Sequence, residues 1–302
     1  MLIVGEKIIL ILITGEFLLG ISGNGFMILV NGIAWIKSKK LEIGDLLLLL
    51  LAISRIGLLC IITWISFLLA FYQDEFLTNK SNLADAFWIL AHLSSIWFAT
   101  CLSIFYFLKI ANFSHPLFLW LKWRLKTVLC MLQVGPLLFS LSITFPLVEK
   151  SNCYLSYRRN ITKAFQVRQF ITMQVFIIFV SIIPFILSLV SFFFLMLSLW
   201  RHTHQMKLNA TGSRDPSTEA HVRAMKATLS FLILFVLFYL GTFIVQWNHL
   251  FQNRLMAVML TLPLMLLYPS GHSLILILYN SKLKQAALKM WWQMRCCLQR
   301  SK

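Results

Sequence analysis

From Phe87 to Leu108 the chain reads FWILAHLSSIWFATCLSIFYFL, about 22 residues without an ionised side chain. A helix of that length, at ~1.5 Å per residue, crosses the hydrocarbon of a bilayer. At helical spacing Trp88, His92, Ile96 and Ala99 share one face of its upper half. The lower end runs into a basic amphipathic stretch holding Lys109, Lys122, Arg124 and Lys126. One end is therefore suited to read a ligand and the other to address a cytosolic partner.

Comparable apolar runs recur along the chain, with approximate limits 8–34, 43–70, 86–110, 127–147, 170–200, 225–248 and 255–279. They are far longer than the ~10 alternating residues of a barrel strand, so each is expected to be a helix that satisfies its own backbone polar groups. With 59% hydrophobic and 12% charged residues and a mean hydropathy of +0.81, a soluble globular domain is excluded. The expected fold is all-α: an integral membrane seven-transmembrane helix bundle, a single domain over residues 1–302.

An odd number of spans places the termini on opposite sides, and Lys and Arg decide which is which. Most of the 27 basic residues lie in the first, third and fifth connections and after Asn280, including Lys37, Lys39, Lys40, Lys109, Arg201, Lys226 and Lys282. The C-terminus is thus expected in the cytosol and the N-terminus outside, in a multi-pass plasma-membrane protein. The net charge of +17 then reflects topology and anionic lipid, not nucleic acid. Met1 to Lys7 leads straight into a span too long for a signal-peptide core, so the first helix is expected to act as its own anchor.

Polar residues inside the spans are costly and therefore informative. Asn24 lies about 12 residues from Trp35, and Arg55 about 12 from Ile43. Both are ~18 Å from the cytosolic ends, so they are expected to touch, with a seventh-helix group near Ser270 or Ser273 as a further acceptor. Asn24, Arg55 and Ser273 form the expected intramembrane switch. Glu16 is a second costly group, without a partner that can be named from the sequence.

Pro184, Pro263 and Pro269 remove intrahelical hydrogen bonds and are candidate hinges. Asp215-Pro216-Ser217-Thr218-Glu219 reads as a helix start below the sixth span. After Asn280, Leu283, Ala287, Met290, Met294 and Cys297 share a face with Lys and Arg elsewhere. A short amphipathic eighth helix in the membrane interface is expected, anchored by Trp291 and Trp292, with Cys296 and Cys297 as candidate acylation sites. Asn160-Ile-Thr162 is a glycosylation acceptor on the outer side and Asn79-Lys-Ser81 a second, close to the membrane. Cys153 alone is expected to face the oxidising side, so no outer disulfide is expected.

The strings GNGF, LAISRIGLL, WFATCLSIFYFLKIANFSHPLFLWLKWR, ATGSRDPSTEAHVRAMKATLSFL, LYPSGHSLILI and NSKLKQA occur in this order. With them the chain resembles the type 2 bitter taste receptors, seven-helix G-protein-coupled receptors, over essentially its whole length. The resemblance implies a ligand pocket in the outer half of the bundle. It also implies coupling to gustducin-type or other inhibitory-class G proteins, with phospholipase C and calcium downstream. Carried over by position, Trp88, His92, Phe238, Val245 and Leu262 match pocket positions, and Ile96, Gln246 and Met265 are expected beside them. Several relatives have Asn followed by His where this chain has His92 and Leu93, and an acid or amide at Leu262. Tyr279 stands where a Gly often precedes the Asn. The expected ligands are neutral, apolar small molecules, because no carboxylate lies in this set to offset a buried cation.

Below the spans, Lys109, His115, Pro116, Leu117, Arg201, His202, His221 and Lys226 are expected to surround a cleft for a G-protein helix. A receptor oligomer is a further candidate partner. The histidines form no metal-ligand cluster and no catalytic constellation is present, so neither enzyme activity nor a metal or cofactor is expected. Two alternatives stand beside the receptor reading. A pheromone-type seven-helix receptor is disfavoured by the segment before the sixth span. A transporter is disfavoured by the shortage of intramembrane charges and the lack of internal repeats.

Overall fold

The computed structural model describes residues 4–72, 82–135, 138, 141, 163–208, 216–246 and 254–300. Among them there is no strand. In chain order the helices are α1 (Val4–Ser38), α2 (Ile43–Phe71), α3 (Asn82–Ile110) and α4 (Pro116–Trp123). They continue with α5, described over Leu125–Gly135, α6 (Lys163–Leu208), α7 (Pro216–Gln246), α8 (Arg254–Tyr279) and α9 (Ser281–Arg300). Six of these, α1, α2, α3, α6, α7 and α8, are long and apolar enough to cross a membrane. The expected span at 127–147 is helical at its start, and most of the rest lies outside the described residues.

Helix limits extend past the apolar runs. α1 begins at Val4 instead of 8, and α6 begins at Lys163 instead of 170, because a helix continues through polar residues once its backbone bonds are propagating. Pro184 lies inside α6, and Pro263 and Pro269 lie inside α8. α7 starts at Pro216 as expected, where the missing N–H costs nothing; Asp215 lies outside the described residues. Asn79, Cys153, Asn160 and the side chain of Cys297 also lie outside them, while Cys60, Cys101, Cys130 and Cys296 are free thiols.

Between apolar helices there is little hydrophobic driving force in lipid, so association depends on close packing and on polar contacts. Small residues make that approach here. A Cβ added at Gly20 would lie 2.7 Å from a Leu59 methyl of α2 and 3.1 Å from Ser270 Cβ of α8. One added at Gly23 would lie 3.1 Å from Ser273 Oγ, and one at Gly241 of α7 would lie 2.9 Å from Met265 Cγ of α8. α8 is thereby held against α1 and α2 on one side and α7 on the other. Thr100 of α3 donates to the Pro184 carbonyl of α6 at 3.2 Å, and Ser188 donates to Thr100 Oγ1 at 3.0 Å. α3 is the most enclosed of the spanning helices, with 72% of its apolar window buried against 28% for α1 and α6; the side chains it presents inward therefore have to pack against protein on nearly every side.

Candidate functional site

The upper half of α3 meets α7 through a stack of three aromatic rings. Trp88 and His92 are four residues apart and so lie one above the other on the same helix face. Their ring centroids are 5.2 Å apart at an interplanar angle of 11°. Phe238 of α7 covers the other face of the imidazole at 4.6 Å and 17°. His92 is fully buried, and its Nε2 lies 2.9 Å from the Tyr239 hydroxyl. Its Nδ1 has no hydrogen-bond partner among the described residues. Each aromatic pair adds ~0.5–1.5 kcal/mol beyond area burial, so the imidazole is held in one orientation.

Ile96, Phe238, Leu262 and Met265 belong to one buried core, with Trp88 and Val245 packed half-exposed against it. The sequence-derived pocket residues are thus drawn together from α3, α7 and α8, apart from Gln246, whose side chain lies outside the described residues. The group is aromatic and aliphatic, with His92 and Tyr239 its directional polar members and no Asp or Glu. A ligand in contact with this group would meet aromatic and aliphatic side chains and one or two hydrogen-bonding groups.

One layer below, Arg55 is fully buried and is among the largest fully buried side chains. Its Nη2 donates to His272 Nδ1 of α8, and its guanidinium stands over the Tyr268 ring at 5.4 Å. His272 Nε2 lies 3.3 Å from the Ala227 carbonyl of α7. Tyr268 shares a 3.2 Å hydrogen bond with Ser95 of α3 and packs edge-on against Phe238 at 5.6 Å. Phe231 of α7 touches both, at 6.2 Å from Tyr268 and 5.7 Å from His272. This layer therefore joins α2, α3, α7 and α8 directly beneath the aromatic stack.

The expected pairing of Asn24 with Arg55 does not occur. Asn24 Nδ2 donates to the Gly20 carbonyl at 2.8 Å and to the Pro269 carbonyl at 3.1 Å. Ser273 donates to the Ser270 carbonyl at 2.6 Å and leaves Arg55 to His272. Equal depth fixes the level of two residues but not the direction in which each points. α8 approaches α1 so closely at Gly20 and Gly23 that the Asn24 amide reaches an α8 carbonyl in addition to one on its own helix. Glu16, the other costly group, is half-buried, and its Oε2 has no hydrogen-bond partner among the described residues.

At the basic end, His115 caps α4 by accepting from the Leu117 N–H at 3.3 Å, with Pro116 in the first helical turn. These three residues shape the turn below α3, and all three are exposed. Lys109 stands 5.2 Å over Phe105, Arg201 5.4 Å over Phe113, and Lys226 5.8 Å over Tyr279. His221 departs from the expected surface role: it is buried, with Nε2 3.2 Å from Ser198 Oγ. Its ring stacks at 5.9 Å on His202, whose Nδ1 lies 3.3 Å from Thr218 Oγ1. The pair fills the gap between the ends of α6 and α7, so contact of His221 with a partner requires those ends to part. Lys282 ties the start of α9 to α2 and α1 through Asp45 at 2.6 Å and Asn31 at 3.2 Å. On α9, Leu283 is fully buried, while Met290, Trp291, Trp292 and Met294 are exposed, as in a helix that lies along an interface.

Tyr239, Tyr268, Ser95 and His272 were not among the residues expected from sequence. The signal was present for two of them: Tyr268 and His272 are four apart on one face of an apolar span that must offer Arg55 an acceptor.

Comparison with known proteins shows the family. The family model for taste receptor protein (TAS2R) matches residues 1–295. Taste receptor type 2 member 7 of Macaca mulatta is 47% identical over 296 residues, covering 95% of this chain and 93% of that protein. Its counterpart from Pongo pygmaeus is 46% identical over 302 residues, covering 97% and 95%. Taste receptor type 2 member 8 of Pongo pygmaeus is 45% identical over 294 residues, covering 94% and 95%. Similarity of this extent over the whole length is that of one family, and the chain belongs to the TAS2R taste receptors, multi-pass membrane proteins that couple small-molecule ligands to G proteins.

Proposed function

We propose that this receptor senses bitter, mostly neutral and apolar compounds between α3, α7 and α8, at the plasma membrane, with its N-terminus outside. The observation that carries the reading is the Trp88–His92–Phe238 stack, an aromatic group with few polar atoms that is half-exposed at Trp88 and buried at His92 and Phe238, immediately above the Arg55 layer. Desolvating an ammonium ligand there has no carboxylate to offset it. Binding favours the state whose cytosolic side accepts a gustducin-type or inhibitory-class G protein, whose βγ subunits raise calcium through phospholipase C. An agonist with equal affinity for both states would shift nothing.

On the cytosolic face Lys109, His115, Pro116, Leu117, Arg201, His202 and Lys226 form the partner surface, and His221 joins it when α6 and α7 separate. Asn160 is the glycosylation site and Cys296 and Cys297 are acylation sites. Receptor oligomers are a further partner. The reading is tested by screening bitter compounds for calcium release in cells that express the receptor with a gustducin-like α subunit. Responses to neutral aromatic compounds are expected, and silence to every compound despite surface expression contradicts it.

A further inference from the structure

His272 stands at the only point in the described residues where α2, α7 and α8 are joined by one side chain through hydrogen bonds, and its two ring nitrogens face different helices. The Ala227 carbonyl is an acceptor and nothing else, so Nε2 must carry the proton and donate to it. In the neutral ring Nδ1 then holds a lone pair, and that lone pair accepts from Arg55 Nη2. A doubly protonated ring would turn an N–H toward a guanidinium that cannot give up its own protons. The tautomer is thus fixed from both sides by geometry. Phe231, 5.7 Å away, limits rotation of the ring.

The two bonds serve different ends. Arg55 is fully buried, and Nε and Nη1 have no hydrogen-bond partner among the described residues. The bond to Nδ1 therefore contributes to the stability of a costly buried cation. The bond from Nε2 fastens α8 to the backbone of α7. Ala227 lies in the half of α7 toward His221, below Phe231, Phe235 and Phe238. Separation of the α7 end from its neighbours must stretch or break this bond. Above it, Phe238 touches both the ligand-reading His92 and Tyr268, and Tyr268 lies under Arg55.

We infer that His272 is a positioning residue with two separable roles: Nδ1 secures Arg55 for folding, and Nε2–H latches α7 in the closed state until agonist binding releases it. The inference rests on the receptor reading above.

The side chains of Asn and Gln separate the roles. The Asn amide oxygen falls where Nδ1 stands, whereas the Gln amide nitrogen reaches where Nε2 stands. His272→Asn keeps the acceptor for Arg55 and loses the latch. It is expected to reach the surface at near-normal level and to raise agonist-independent calcium signal by about three- to tenfold, the worth of one intramolecular hydrogen bond. His272→Gln keeps the latch and disturbs the acceptor. It is expected to keep the low basal signal and to show reduced surface expression. Each variant is measured by surface labelling and by calcium response per surface receptor, beside the unmodified receptor and its bitter-compound responses. Equal basal signals in the two variants, or a higher one in His272→Gln, would overturn the inference. An unmodified receptor silent to the whole compound panel would overturn the receptor reading instead. If His272→Asn does not reach the surface, the assignment of Nδ1 to folding is wrong.

Discussion

Arg55 and Asn24 show how a single buried polar side chain is settled by the acceptors within reach. An Arg in the apolar interior costs at least ~2.5 kcal/mol by insertion scales, and the residue that accepts from it is His272. Asn24 instead spends both amide hydrogens on carbonyls, one on its own helix and one on α8. The pairs should therefore couple differently in double-mutant cycles on surface-expressed receptor. Arg55→Met with His272→Phe is expected to be less damaging than the sum of the single changes, because each single change leaves its partner without a counterpart. Asn24→Leu with Arg55→Met is expected to add. Strong non-additivity in the Asn24 cycle would mean that the two residues touch in the membrane. Depth along a span was legible in the sequence, since it needs only a count of residues. Direction was not, because every face of a membrane helix meets apolar surroundings and periodicity does not separate lipid from protein.

Among elements, the six described spans and α9 follow from long, largely apolar runs and from an amphipathic pattern, both legible in the sequence. What was not visible is which helices touch. That depends on glycines whose role appears only beside their neighbours. A Cβ at Gly23 would meet Ser273 and Leu274 of α8, while one at Gly25 meets nothing within 4 Å. Gly23→Val is expected to push α1 from α8 and lower surface expression several-fold, whereas Gly25→Ala leaves it unchanged; equal expression of the two would mean that the α1–α8 contact carries no weight. At the other end of the bundle, Arg201 and Lys226 are exposed and His221 is buried. Replacing Arg201 and Lys226 by Ala is expected to lower the maximal calcium response with little change in half-effective concentration. His221→Ala is expected to alter basal signal, since it removes the packing between α6 and α7. If the Arg201/Lys226 variant couples normally, those cations serve only to set orientation in the membrane.

At the scale of the whole molecule, the aromatic stack, the Arg55 layer and the stacked histidines lie in sequence between the two ends of the bundle. The stack touches the layer through Phe238 and Tyr268, and the layer reaches α7 through His272 and Ala227. A ligand that moves Phe238 therefore has a contiguous set of contacts through which to bias the position of α7. The chain's composition made a membrane bundle legible, and its motifs made the family legible. Among the linking residues, Tyr268 and His272 left a trace in the sequence as polar groups four apart on one face of an apolar span, whereas Tyr239 emerged only when helices distant in sequence were brought together. The most direct test of a pocket at the aromatic stack is the dose-response curve of Trp88→Ala for several chemically distinct agonists, at surface expression matched to the unmodified receptor. The arrangement predicts half-effective concentrations raised about tenfold or more, as expected when a large aromatic contact surface is lost, with the maximal response retained. Curves that superimpose on those of the unmodified receptor for every agonist would place the ligand elsewhere.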